Sequence, residues 1–305
     1  MKKNPIYVQI SIQTDMDRLW RYTQDPELHQ QWDLRFTDIT YLKRRPGERQ
    51  RFLYETRIGF GLKISGTGES TGSMYKETGD RVSSLSFASS HPLSLIREGR
   101  GYWKYKQIEN GIAFMTQYDY ETNYGRLGRL ADLAFRPLIG WATAWSFDAL
   151  KIWLEKGLHP KLLIQKTAIY WFVCLLLSFI WIYQGLIPKL IMQHPEEISM
   201  LSSLSGGRFP PASLLKLIGL AEMALGILWL FPVCKRKWFL PHIALLVLLT
   251  ACAGMTDITS FAHPFNPVAL NTALIILSII GYVSAKEIPS ARNTIRKRRS
   301  FEFHV

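Results

Sequence analysis

The sequence predicts two bodies of different class: an α+β head over residues 1–160 and an all-α bundle of four membrane-crossing helices over 161–290, followed by a basic tail, 291–305. Three observations carry this. Four long apolar stretches occur, all after residue 160: Thr167 to Ile187, Ala212 to Phe231, Trp238 to Thr256 and Pro267 to Ala285. Each approaches the roughly 20 residues that cross a hydrocarbon core, where only structures satisfying their own backbone groups are stable. Ahead of them, short runs of alternating apolar and polar residues are separated by glycine- and proline-bearing turns, the pattern of half-buried strands. Finally, Lys and Arg crowd alternate connections between the apolar stretches.

In the head, Asn4 to Gln13 alternates as a strand after Pro5. Thr14 or Asp15 suits the start of a helix through Gln24, and Pro26 opens a second short helix ending at Trp32. Six strand-like runs follow: Phe36 to Leu42, Gln50 to Ile58, Leu62 to Tyr75, Arg81 to Ser89, Ser94 to Glu109 and Ile112 to Asn123. Asn110-Gly111 is the strongest hairpin mark among their turns. Residues 126–157 return to helical spacing, with an interruption expected at Pro137. That helix carries Trp141, Trp145 and Trp153, which serve either to grip the sheet or to sit at lipid headgroup level. The run Gly59, Gly61, Gly66, Gly68 and Gly72 lacks phosphate-loop spacing and joins strands, so bent sheet positions explain it.

The order strand, two short helices, six strands and long helix, with Trp32 closing the second helix, resembles the helix-grip arrangement of the START-like, or SRPBCC, superfamily over nearly all of residues 4–157. This superfamily includes polyketide cyclases, coenzyme-Q-binding proteins and lipid-transfer domains. The resemblance implies a sheet curved around the terminal helix and a cleft for a hydrophobic small molecule. Alternation nominates its walls. Phe52, Tyr54 and Thr56 share one face of their strand, and Ile112, Phe114, Thr116, Tyr118 and Tyr120 share one face of theirs. Trp103 and Tyr105 fall on one face with Arg97; Tyr102 falls on the other with Glu98 and Arg100. The candidate ligand-binding residues are Phe52, Tyr54, Trp103, Tyr105, Phe114, Tyr118 and Tyr120, each of which also suits an ordinary core.

The formal charge of +13 divides unevenly, with 23 Lys and Arg against 18 Asp and Glu before residue 161 and 14 against 6 after it. The later basic residues flank apolar stretches: Lys161 and Lys166, then Lys235, Arg236 and Lys237, then Lys286 through Arg299. By the positive-inside rule both termini are expected in the cytoplasm, with loops 188–211 and 256–266 outside the cell membrane and Lys216 the one dissenting residue. Arg296 to Arg299 reads as an anchor to anionic headgroups, and nucleic acid is not expected as a partner. The first twenty residues alternate and do not resemble a secretory signal. Cys174, Cys234 and Cys252 lie in or beside the apolar stretches without a CxxC pair, and no metal site is expected.

Residues 167–285 resemble the DoxX-like family of small four-helix membrane proteins through Tyr183 to Lys189, Gly219 to Gly226, and His263 to Pro267 with Asn271. The resemblance implies quinone-linked redox company, with a quinone as the candidate cofactor and a membrane oxidoreductase as a candidate partner. Glu222, near mid-span and with no Lys or Arg expected at its depth, is the residue that most needs explaining. Tyr183, Gln184, Glu222, Asp257, His263 and Asn271 form a candidate polar cluster that binds a quinone headgroup or relays a proton; the structural alternative pairs Glu222 with Asn271 or Gln184. Gly219, Ala221, Ala224 and Gly226 suit close helix packing.

The residues support three functional readings. The first is a membrane-anchored binding protein for a lipid, isoprenoid or quinone. The second is a cyclase- or dehydratase-like enzyme in the head cleft, with Glu98, Arg100, Tyr118 and Asp119 as candidate acids and bases and no evident nucleophile–base pair. The third is an accessory subunit of a membrane oxidoreductase.

Overall fold

The computed structural model describes residues 4–59, 61–75, 79–206, 208–231, 236–256, 258–262 and 266–297. They form two compact units, one of residues up to 163 together with those from 289 onward, the other of residues 164–288.

The first unit is an antiparallel sheet wrapped on one long helix. Strand β1 (Ile6–Ile12) leads to helices α1 (Met16–Gln24) and α2 (Pro26–Trp32), then to β2 (Asp38–Tyr41), β3 (Arg51–Gly59), β4 (Leu62–Tyr75), β5 (Arg81–Ala88), β6 (Ile96–Ile108) and β7 (Gly111–Thr122). The sheet order is β1-β7-β6-β5-β4-β3-β2, with every neighbouring pair antiparallel. With the terminal helix this is the helix-grip arrangement. Local chemistry sets the elements. The Asp15 carboxylate accepts from the Arg18 N–H at 2.7 Å, and Asp25 accepts from Glu27 ahead of Pro26, so each short helix starts on an N-cap. At the β6–β7 hairpin Gly111 adopts φ +112°, and a Cβ there would lie 2.2 Å from the Ile12 carbonyl oxygen. Register shifts in the β3–β4, β4–β5 and β6–β7 pairs add the local twist a curved sheet needs.

Helix α3 (Gly125–Lys156) is continuous through Pro137, against the expected interruption. Proline removes one intrahelical hydrogen bond, to the carbonyl of Leu133, and Leu133 is exposed, so water can satisfy the group. The second half of α3 buries Ala144, Phe147 and Leu150 against Val8, Ile10 and Phe114. Trp145 and Trp153 belong to this core, whereas Trp141 is exposed. Gly157, at φ +70°, ends the helix.

The segment after the last apolar stretch is not a separate tail as far as residue 297. Gln9 and Ile295 exchange both backbone hydrogen bonds, at 2.9 and 2.8 Å, covering the outer edge of β1. Asp148 of α3 accepts from the Ser290 backbone N–H at 2.8 Å and from the Asn293 side chain at 3.0 Å, and Ala291 is buried in the core. Arg298 and Arg299 lie outside the described residues.

The second unit contains α4 (Pro160–Gln184, which begins just ahead of it), α5 (Pro195–Ser205), α6 (Pro211–Leu230), α7 (Phe239–Thr256) and α8 (Pro267–Ser284). Four helical stretches, Pro160–Ile191, Pro211–Leu230, Arg236–Met255 and Pro267–Ser284, are long and apolar enough to span a bilayer. The first runs on past Gln184 as a π-helix, Gly185–Ile191, so the expected loop at 188 begins later and contains α5. Phe172, Phe179, Leu217, Leu248 and Val283 face outward, as lipid-facing side chains do. Tyr170, Leu177, Trp181, Trp229, Phe239 and Leu274 pack inside. Glycines let backbones meet: a Cβ on Gly219 would lie 2.8 Å from the Gly185 carbonyl oxygen, and one on Gly226 2.9 Å from that of Ser178.

Asp148→Ala removes the acceptor that holds residues 290–293, and the first unit is expected to lose about 1–3 kcal/mol. Hydrogen exchange should accelerate at Ile295 and Gln9; unchanged protection there would show that the bridge does not depend on Asp148.

Candidate functional site

The first unit contains a cavity of about 700 Å³. Its apolar wall comes from Phe52, Tyr54 and Ile58 on β3, Ile64 on β4, Leu85 and Phe87 on β5, Trp103 on β6, and Phe135, Leu138, Ile139 and Ala142 on α3. The glycines of the sheet explain how so many rings fit. A Cβ on Gly66 would lie 2.3 Å from Cζ of Tyr54, one on Gly68 2.2 Å from Cζ of Phe52, and one on Gly99 2.5 Å from Cζ of Phe87. Each ring therefore lies flat across a bare stretch of neighbouring backbone, and the space above stays open. Gly72, with nothing near its missing Cβ, instead marks the register shift in β4.

One part of the wall is polar and built mainly from the segment joining α2 to β2. Arg35 grips the fully buried Asp33 through two hydrogen bonds, Nε to Oδ1 at 2.9 Å and Nη2 to Oδ2 at 2.6 Å. His29, one helical turn before Asp33, places Nε2 3.0 Å from the same Oδ2. The loop is pinned from both sides: the Leu34 N–H donates to Oγ of Ser146 on α3 at 2.9 Å, and the Thr56 hydroxyl donates to the Arg35 carbonyl at 2.5 Å. The Arg35 guanidinium lies 5.4 Å from the ring centres of both Phe36 and Tyr118. Thr143 donates its hydroxyl proton to the Ile139 carbonyl at 2.8 Å, so the Tyr118 hydroxyl donates to Thr143 Oγ1, also at 2.8 Å.

Burial opposes charge throughout this patch, and pairing decides the outcome. Desolvation would raise the Asp33 carboxyl, but the guanidinium of Arg35 and the imidazole of His29 hold it well below the usual range. Desolvation would lower Arg35, which Asp33 more than reverses. For His29 burial wins, lowering its pKa despite Asp33. Burial raises Tyr118 and pushes Tyr54 up to about 12.

Of the seven head residues nominated from the sequence, Phe52, Tyr54, Trp103 and Tyr118 line the cavity. Phe114 and Tyr105 are fully buried in the core instead; the Tyr105 hydroxyl bonds Thr23 at 2.7 Å and Gln24 at 3.0 Å. Tyr120 donates to Asp132 at 2.5 Å beneath Arg136. Arg97 sits at a register shift, which breaks the alternation that placed it beside Trp103, and pairs with Glu121 outside. Glu98 and Asp119 face outward too, Asp119 on Arg136. Sequence reasoning missed His29, Asp33 and Arg35. The i,i+4 spacing of His29 and Asp33 was the available signal.

In the second unit the nominated polar residues divide. Glu222 is paired with Lys189 at 3.1 Å, and Lys189 also reaches Glu197 at 3.2 Å. The expectation that no cation shares its depth fails because the π-helical continuation carries Lys189 beside α6. Asn271 donates to Thr250 at 2.8 Å and not to Glu222, while Tyr183 is exposed with its ring against Phe179. Asp257 and His263 lie outside the described residues. A third group had no sequence signal. Trp181 donates to His242 Nε2 at 2.8 Å, which leaves Nδ1 2.9 Å from the Ser278 hydroxyl, itself donating to the Leu274 carbonyl at 2.7 Å. Since an indole only donates, this His242 is the neutral tautomer protonated on Nδ1. Among the described residues no group of three or more His, Cys, Asp or Glu could hold a metal ion.

Residues 178–279 match the DoxX-like family. Of solved structures, a STAR-related lipid transfer protein from Xanthomonas axonopodis is 15% identical over 48% of this chain and 84% of its own, with a TM-score of 0.38. The di-domain ARO/CYC StfQ from the steffimycin biosynthetic pathway is 12% identical over 50% of each chain, with a TM-score of 0.40. Likenesses this distant carry no argument about a ligand. YndG, an uncharacterized membrane protein of Bacillus subtilis (strain 168), is 47% identical over 301 residues, covering 98% of this chain and all of the relative. The chain thus belongs to the family of that Bacillus subtilis membrane protein, with a helix-grip head and a segment, residues 178–279, that matches the DoxX-like family.

Proposed function

We propose that the protein is a membrane-anchored binding protein that holds a lipid, isoprenoid or quinone in the cavity of its head. One observation carries the reading: a cavity of about 700 Å³, within the usual size range of small-molecule sites, has an apolar wall and a confined polar patch. The membrane half keeps the head at the bilayer, where such ligands reside. A quinone would link binding to membrane redox chemistry, as the DoxX resemblance implies.

A second reading rests on the His29–Asp33 pair. A neutral imidazole oriented by a carboxylate is a competent general base, and His29 lies in the cavity wall. Cyclisation or dehydration inside the cavity would need it, whereas Glu98 and Asp119 face away.

The orientation follows from charge and from chain parity. Residues before 164 and after 288 belong to one unit, so the chain returns to the side it left, as four crossings require. The basic flanks support the cytoplasm as that side. In the membrane half, Lys189, Glu197 and Glu222 are read as a structural lock between the π-helical segment, α5 and α6.

Four outcomes are expected. Full-length protein purified in mild detergent should release a hydrophobic small molecule on extraction and mass spectrometry, and Ala142→Trp, which fills the cavity, should lower its occupancy at least tenfold; equal yields would place the ligand elsewhere. If His29 is a base, His29→Gln would retain the ligand while abolishing its conversion. In intact cells, a membrane-impermeant maleimide should label a cysteine at position 208 and spare one at position 45, in a background without native cysteines. Finally, Lys189→Met, which strands Glu222 without its cation, should lower the melting temperature more than its combination with Glu222→Gln does, because a lone buried charge costs more than no pair; additive effects would remove the lock.

A further inference from the structure

The polar patch of the cavity contains ions but has no net charge, and we infer that it selects ligands whose buried end is an uncharged oxygen, a carbonyl or a hydroxyl, and rejects both anionic and cationic head groups. This deepens the binding reading above and rests on it.

The balance is visible in the geometry. Asp33 and Arg35 cancel within a bidentate pair whose two bonds are 2.9 and 2.6 Å, and the carboxylate has no exposed surface through which water could rebalance it. His29 sits against that carboxylate at 3.0 Å and is otherwise enclosed by aromatic rings, with Trp32, Phe36 and Trp103 at centroid distances of 5.0, 5.4 and 4.9 Å. The groups facing His29 are thus one carboxylate, its guanidinium and apolar rings, surroundings that keep the imidazole neutral at and above neutral pH. Of the other described residues lining the cavity, Arg44 alone carries a formal charge, and it is exposed to solvent. Tyr41, Tyr54 and Tyr118 remain phenols.

Such a patch offers donors without offering charge. Two of the five guanidinium N–H groups of Arg35 are engaged by Asp33 and a further one faces the Tyr118 hydroxyl, which leaves N–H groups for an acceptor oxygen. Tyr118 cannot give its proton to a ligand while Thr143 accepts it. A ligand carbonyl or hydroxyl gains a hydrogen bond here at the ordinary desolvation cost of a neutral group. A sulfonate, carboxylate or phosphate would bring an uncompensated charge beside Asp33, and an ammonium would meet Arg35; either loses its hydration without a net counter-charge. Quinones, ketones, isoprenoid alcohols and sterols fit the rule, while fatty acids, phospholipid phosphates and amines do not.

The test uses full-length protein in mild detergent, stripped of ligand, and three compounds sharing one sixteen-carbon chain: hexadecan-1-ol, hexadecane-1-sulfonate and hexadecylammonium at pH 8. Binding is read from the emission of Trp103 and its neighbours. The alcohol is expected to bind at least tenfold more tightly than either ion. Equal or tighter binding of the sulfonate or of the ammonium would overturn the inference and leave the binding reading intact, whereas binding of none of the three would overturn both. Asp33→Asn gives the patch a net positive charge and should raise the sulfonate's affinity relative to the alcohol at least tenfold. Where that variant does not fold, the wild-type series decides alone.

Discussion

One helix covers only part of one sheet, and the head is organised by that shortfall. The second half of α3 seals β1 and β7 by burying Phe147 and Leu150 against Val8, Ile10 and Phe114. No second long helix covers the opposite side of the sheet, among the described residues, so β3, β4 and β5 present their inner faces to a cavity. Their apolar residues cannot collapse into it, because each ring is already laid across a glycine of the adjacent strand. The cavity is therefore a product of how the rings are stored, and not a packing defect. The α2–β2 loop then supplies the polar patch at the boundary of the filled and unfilled regions, fastened to α3 through Ser146 and to β3 through Thr56.

The membrane half obeys a different constraint with the same rigour. Without water in the bilayer core, polar side chains find partners on neighbouring helices. Lys189 with Glu222, Asn271 with Thr250, and the relay from Trp181 through His242 to Ser278 are three separate solutions. They join different helices, α4 and its π-helical extension to α6, α7 to α8, and α4 to α7 and α8. A single converging polar cluster would have required Glu222 to reach Asn271, and each is already engaged.

Much of this was legible in the residues. Alternation located all seven strands, Asp15 and Pro26 marked two helix starts, and four apolar stretches marked the spans, because each signal is local and repeats. Four of the seven residues nominated by alternation line the cavity. Arg97 was misplaced because a register shift is invisible to a count of twos, and Phe114 and Tyr105 because a strand's inner face serves both core and cavity. Asp33 and Arg35 escaped since a loop has no period, and His29 because nothing in so short a helix as α2 marks which side meets the cavity; only the fold brings them to the wall. Lys189 escaped for a related reason: the helix that carries it overruns its apolar stretch through a proline, and propensity places the end earlier.

The bridge between Gln9 and Ile295 sets an order of events during synthesis. The membrane half is, in connectivity, an insertion within the head, since the strand-like segment that closes the β1 edge lies beyond the last span. A nascent chain can fold its sheet early, but that sheet keeps an open edge until all four spans have been made. Chains that fail to insert would carry an unsealed strand, a template for aggregation and for proteolytic recognition. Completion of the head therefore waits on synthesis of the whole membrane half.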